Sequence, residues 1–135
     1  MLLELARERP NGLAVDDGTR TRTYAELVDR ARRFAHFLSH DAGLAPGSHL
    51  ALLMGNRVEG IELLLGGILA GLWVTPINWH LAEEEVDYVV GDSGARILVT
   101  DDRFAATARR VAAKRPQVGP SSGSARRTFS AWGPR

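Results

Sequence analysis

The sequence predicts an α/β domain built on a parallel sheet. Three short apolar runs carry that prediction: "HLALLM" at 49–54, "WVT" at 73–75 and "RILVT" at 96–100. Each is followed by a stretch with helical spacing, giving the order β-α-β-α-β-α from residue 49. Such alternation favours parallel strands, right-handed crossovers and helices on the sheet faces. With 135 residues, 44% of them hydrophobic and 24% charged, the chain is long enough for one domain with its own core.

The elements follow in order. Leu2 to Arg9 forms a short helix stopped by Pro10. "LAVDDGTRTRTY" reads as a small hairpin, with strands at Leu13–Val15 and Arg20–Thr23 around an Asp17-Gly18 turn. Thr23 and Glu26 stand at capping-box spacing and open a helix. Leu27, Ala31, Phe34 and Leu38 line its buried face, while Asp29, Arg30, Arg32 and Arg33 are expected to be mostly solvated. Gly43 suits the stop and Pro46-Gly47 the turn after it.

"HLALLM" is apolar throughout, as a strand covered on both faces is. Asn56 is the expected cap of the next helix, "RVEGIELLLGGILAGL". "WVT" is a second strand, ended by Pro76. "AEEEVDYVVGDSG" is amphipathic, with Val86, Val89 and Val90 inward and acids in the first turn, where they complement the helix dipole. "RILVT" is a third buried strand, and "DDRFAATARRVAAK" a last helix capped by Asp101 or Asp102. Residues 1–113 form the packed part. Residues 114–135 read as a basic, disordered tail rich in Pro, Gly and Ser.

Several function classes fall away. The chain has no cysteine, so disulfides and cysteine-based metal or redox sites are excluded. "MLLELARERP" lacks the basic start and long apolar core of a secretory signal, which makes the cytoplasm the expected location. Leu63 to Val74 is too short for the roughly 20 residues of a membrane span, so a buried helix with Gly67-x-x-x-Gly71 as a packing motif is expected. The tail holds five basic residues and no acid, but no dense cluster, so nucleic acid is not the expected partner.

The candidate sites are few. "GNRVEG", Gly55 to Gly60, nearly matches two phosphate-binding loops but lacks the third glycine of one and the Lys-Ser/Thr of the other. A helix start is the better reading. His36 and His40 could face one metal ion, but no third ligand accompanies them, and no metal site is expected. In a parallel sheet ligands gather at the carboxyl ends of strands. Asn78, Trp79 and His80 combine polar groups with an aromatic plate there, and are the candidate substrate-binding residues. No catalytic residue can be named.

One combination of motifs resembles a known family. It comprises Thr23-Tyr24-Ala25-Glu26-Leu27, Gly43 through Pro46-Gly47, Leu52 to Asn56, Ala70-Gly71, Pro76-Ile77-Asn78, Glu84-Glu85 and Asp92-Ser93-Gly94-Ala95. In this order and spacing they resemble the opening of the adenylate-forming (AMP-binding) enzymes, and within them the fatty-acyl-CoA synthetases. The likeness covers roughly residues 1 to 113. It implies an N-terminal portion of the large domain, preceded by a small helix and hairpin. The implied reaction uses ATP, Mg²⁺ and CoA. A fatty acid and ATP give an acyl-adenylate and pyrophosphate, and the CoA thiol then displaces AMP. The family's Ser/Thr/Gly-rich phosphate loop ends in Pro-Lys-Gly, and its catalytic lysine lies on a mobile C-terminal domain. "SSGS", Ser121 to Ser124, fits the start of that loop, but "ARR" stands where Pro-Lys-Gly should. The resemblance therefore implies a fragment inactive on its own. The alternative is a non-catalytic module that pairs with itself or with a separately encoded remainder.

Overall fold

The computed structural model describes residues 1–118. The "SSGS" stretch and the rest of the expected tail lie outside the described residues. The chain opens with helix α1 (Leu2–Glu8) and the antiparallel strands β1 (Leu13–Asp16) and β2 (Thr21–Thr23). Helix α2 (Tyr24–His36) continues into a π-helical turn, Phe37–Asp41. There follow β3 (His49–Leu53), α3 (Val58–Leu69), β4 (Trp73–Ile77), α4 (Glu83–Ser93), β5 (Ile97–Thr100), a 3₁₀ turn (Asp102–Phe104) and α5 (Ala105–Lys114).

The three later strands form a parallel sheet in the order β4-β3-β5. Side chains of successive strand residues point to opposite faces, and the core divides accordingly. Leu50 and Leu52 of β3 pack with Phe34, Phe37, Leu38 and Leu63 from α2, its π-helical turn and α3. Ala51 and Leu53 pack with Val86 and Val90 of α4 and Val111 of α5. The expected βαβαβα order, with a hairpin and helix before it, is what the chain adopts.

Helix α2 starts as the capping box requires. Thr23 Oγ1 accepts from the Glu26 amide at 3.3 Å, and the Glu26 carboxylate accepts from the Thr23 amide at 2.8 Å. The Thr23 amide first, and the Thr23 side chain second, hold the Glu26 carboxyl below its ordinary pKa. The π-helical turn puts Phe37 into the core beside the expected Leu38.

Six details differ from the sequence reading. Arg30 is partly buried, because it reaches a carboxylate on α3. Asn56 does not cap α3; a residue of the hairpin does. Pro76 lies inside β4 rather than after it. There the Trp73 amide donates to Ser48 O, so alternation turns the Pro76 nitrogen away from β3, on an edge where no donor is needed. Strand β5 is also an edge, so only Ile97 is fully buried. Gly67 and Gly71 do not share a helix face, since α3 ends at Leu69. Close packing comes instead from adjacent Gly66 and Gly67. A Cβ on Gly66 would stand 2.8 Å from Ala31 O, and one on Gly67 2.5 Å from Val74 Cγ2. Helix α3 is thus wedged between α2 and the sheet. It is also not buried all round: Ile61, Ile68 and Leu69 are exposed.

Packing reaches past residue 113. Arg115 pairs with Asp87 of α4, and Val118 is buried in the α4–α5 core. Among the described residues no helix is long and apolar enough to cross a membrane.

Candidate functional site

The carboxyl ends of β3 and β5 are tied together by one buried carboxylate. Asp101, just past β5, is 2% exposed. Its Oδ2 accepts from the amide of Gly55, just past β3, at 3.2 Å, and its Oδ1 accepts from the Arg103 amide at 3.1 Å. Asp101 is therefore the cap of the 3₁₀ turn, one of the two residues expected to open the last helix.

A cleft of about 630 Å³ opens beside these strand ends. Leu52, Met54, Ile61 and Leu64 give it apolar surface. Val15, Asp16 and Asp17 of the hairpin line it, and so do Asn78, Trp79 and His80 after β4. Gly55, Asn56 and Arg57 line it too. All three sequence candidates are thus brought to one cavity. The polar roles of the first are partly taken up within the loop: Asn78 Oδ1 accepts from the His80 amide at 3.0 Å. The Trp79 and His80 rings stack with centroids 3.6 Å apart. The Arg103 guanidinium lies 4.6 Å from the Trp79 centroid and 5.1 Å from that of Phe104. Trp79 thereby holds a histidine and an arginine in place.

The hairpin lining of the cleft was not legible in the sequence. It is fixed to α3 by polar contacts between residues far apart in the chain. Asp17 Oδ2 accepts from the Val58 amide at 2.9 Å and so caps α3. Asp17 Oδ1 accepts from the Thr19 and Arg20 amides at 2.9 and 2.8 Å. These amides, Val58 first, push the Asp17 carboxyl down to about 2. Next to it, Glu59 is 1% exposed and pairs with Arg20 and with Arg57. Glu62 is 2% exposed, and its Oε1 lies 2.7 Å from both Arg22 Nε and Arg30 Nε. Both carboxylates are structural ties, Glu59 to the hairpin and Glu62 to the hairpin and α2. The only local signal for them was the Arg-x-Arg at 20–22, which has no fixed meaning by itself.

His36 and His40 stack on each other at 4.1 Å, and His40 Nδ1 lies 3.1 Å from His36 O. Among the described residues no group of three His, Cys, Asp or Glu side chains could hold a metal ion. The cleft combines apolar surface with an acidic rim at Asp16 and Asp17. That combination suits an alkyl or aryl group better than a triphosphate, which the two carboxylates would repel.

A parallel α/β scaffold with a crevice outside the carboxyl ends of its strands defines a broad class of ligand-binding domains. Comparison with known proteins narrows it: the chain belongs to the AMP-binding enzyme family, whose profile matches residues 2–130. That match runs beyond residue 113, where the sequence reading set the end of the likeness. A fatty acid–[acyl-carrier-protein] ligase of Streptomyces coeruleorubidus is 35% identical over 127 residues, 94% of this chain and 24% of the relative. A solved fatty acyl CoA synthetase of Mycobacterium tuberculosis matches with a TM-score of 0.73 at 33% identity, over 81% of this chain and 22% of that one. O-succinylbenzoate coenzyme A synthetase of Bacillus subtilis, solved with ATP and magnesium ion, matches with a TM-score of 0.70 at 29% identity, over 76% and 28%. The chain spans about a quarter of the length of these three relatives.

Proposed function

We propose that the chain supplies the first part of the large domain of a ligase that activates a carboxylic acid, in particular a fatty acid. The observation that carries this reading is the 35% identity to a fatty acid ligase along 94% of the chain. A carboxylate is a poor acyl donor because its oxygen is a poor leaving group. In the proposed reaction a carboxylate oxygen attacks the α-phosphorus of ATP and pyrophosphate leaves. The thiol sulfur of CoA then attacks the acyl carbon, its proton passes to a base, and AMP leaves with the bond's electron pair. A cytoplasmic setting, where ATP and CoA are available, suits the reading.

These 135 residues by themselves are not expected to perform the first step. Stabilising the charge on the phosphorus needs cationic groups and amide donors fixed around the triphosphate. The one lysine, Lys114, lies 3.4 Å from Glu83, on a surface remote in sequence from the cleft residues. Arg57 is held at Glu59, and Arg103 rests on Trp79. Asn78, Trp79 and His80 remain the proposed contacts for the acid, supported by their place on a cavity with apolar surface. The test is pyrophosphate release from ATP with a panel of fatty and aromatic acids. Purified chain should match the no-protein control. Release above that control, retained through a second purification, overturns the expectation of inactivity.

A further inference from the structure

The cleft at the strand ends has two walls of different charge. One wall is the hairpin, where Asp16 and Asp17 stand beside apolar residues of α3. The other is the loop after β4. There Trp79 packs with Phe104 against the α4–α5 core and carries the Arg103 guanidinium 4.6 Å from its ring centre. Between the walls lie Leu52 and Met54, only 4% and 8% exposed and shared with the core under α2 and α3. The floor is therefore apolar.

The hairpin wall carries an excess of negative charge. Both oxygens of Asp17 are taken by main-chain amides, Oδ2 by Val58 and Oδ1 by Thr19 and Arg20. Amides satisfy a carboxylate without cancelling its charge, and these hold Asp17 down to about 2, so it is ionised at neutral pH. Asp16 is exposed, and its Oδ1 accepts from the Gly18 amide at 2.8 Å. The arginines at this wall are shared with buried carboxylates: Arg20 with Glu59, and Arg57 with Glu59 and, at 4.0 Å, with Asp101. Two guanidiniums, of Arg20 and Arg57, thus stand against the four carboxyl groups of Asp16, Asp17, Glu59 and Asp101, a formal excess of two negative charges.

A carboxylate in the cleft is pushed away from the hairpin and toward Arg103. A monocarboxylic acid meets this by orientation: its carboxylate turns to the Trp79 side and its tail lies on the apolar floor. An acid with a carboxylate at each end has no such orientation, because turning one away brings the other to the hairpin. We infer that Asp16 and Asp17 are specificity-determining residues, which admit acids with an uncharged far end and exclude dicarboxylic acids of the same length. The discrimination works by repelling the wrong ligand rather than by a further contact to the right one. This inference rests on the proposed role of the cleft as the acid site.

The experiment titrates the isotope-labelled 135-residue chain with octanoate, octanedioate and the monomethyl ester of octanedioate, following the amide and indole NMR signals of the cleft residues. Circular dichroism confirms that each variant stays folded. At low salt octanedioate binds about tenfold more weakly than octanoate, while the ester, which has a polar far end but no charge there, binds within about twofold of it. The gap between the two acids narrows as salt rises, because screening weakens the repulsion. D16N keeps an acceptor for the Gly18 amide, removes one charge and narrows the gap to about threefold. D16K closes it. Equal binding of octanoate and octanedioate by the unmodified chain overturns the inference and leaves the cleft as the acid site. So does a gap that persists in D16N, in D16K and at high salt, since the hairpin charge would then not be its cause. A cleft whose signals respond to none of the three compounds overturns the acid-site reading, and this inference with it.

Discussion

The two faces of the sheet are covered by helix pairs of similar size, yet they are held by different means. On one face α3 meets α2 through glycine, and its inward side carries Glu59 and Glu62, both almost fully buried. On the other, α4 and α5 close over Val86, Val90 and Val111, and their ion pairs lie outside. Glu83 bonds Arg110 at 2.7 Å, and Asp87 holds Arg115 with two contacts of 2.8 Å. Both pairs pull their carboxyls below the ordinary pKa, the arginine hydrogen bond being the main cause in each. Chemically similar pairs therefore do different work. An exposed pair contributes little to stability, because solvent screens it and two long side chains must be ordered. A buried pair has lost its water, and breaking it leaves a charge with nothing to replace the lost partner.

Removing Glu62 should break the comparison most visibly. Glu62→Leu leaves the guanidiniums of Arg22 and Arg30 facing a methyl group, with only 15% and 22% of those side chains exposed. We expect a loss of about 3 kcal/mol in urea unfolding, the lower end for a broken buried pair because both arginines retain some access to water. The hairpin should loosen with it, since Arg22 belongs to β2. Replacing all three residues by apolar ones of similar size, R22M/R30M/E62L, should recover most of that loss. A loss under about 1 kcal/mol for the single change would place this pair with the surface pairs of α4 and α5.

This face is also where the sequence was least legible, and the reason is physical. The capping box at Thr23, the inward valines of α4 and the strand order follow from local propensity and periodicity, which are set within a few residues. The ties at Asp17, Glu59 and Glu62 join residues about 40 positions apart. No period or local motif encodes such a pair. Arg30 therefore read as a solvated helix residue, and Asn56 as the cap of α3, because each is the ordinary outcome when no distant partner intervenes. The candidate site divides in the same way. Asn78, Trp79 and His80 could be placed because strand ends in a parallel sheet are predictable. The hairpin lining of the same cleft, Asp16 and Asp17, could not be, since it is brought there by the ties to α3. Pro76 marked a strand end by rule, and only the edge position of β4 made it a strand residue.

A smaller effect is expected from Gly66→Ala. The added Cβ would meet Ala31 O at 2.8 Å and Phe34 Cδ1 at 2.8 Å. One of these is main chain and cannot rotate away, so α3 must move off α2. The expected destabilisation is about 1–3 kcal/mol, the usual range for overpacking, even after the gain in helix propensity from alanine. Melting temperature and urea midpoint should fall together. An unchanged midpoint would mean that α2 and α3 are less tightly apposed than these distances require.

The same substitution on the other face should have the opposite sign. A Cβ on Gly91 of α4 would stand 2.5 Å from Arg115 Nη1, nominally a worse clash than at Gly66. What it meets, however, is the far end of a flexible side chain that lies across the helix and is about one-third exposed. Arg115 can swing into water, giving up its contacts with Asp87, and a partly exposed pair at the rim of the helices contributes little beside a fully buried one. Against that small loss stands the helix propensity of alanine over glycine, about 1 kcal/mol in a helix interior. Gly91→Ala should therefore leave stability unchanged or raise it by up to about 1 kcal/mol. Its signature is a separation of two readouts: the Asp87 carboxyl, no longer held down by Arg115, should titrate nearer its ordinary range, while the urea midpoint does not fall. If the midpoint falls as far as for Gly66→Ala, Arg115 is part of the packing of that face, and the contrast between a buried polar face and an apolar face with peripheral charges is wrong.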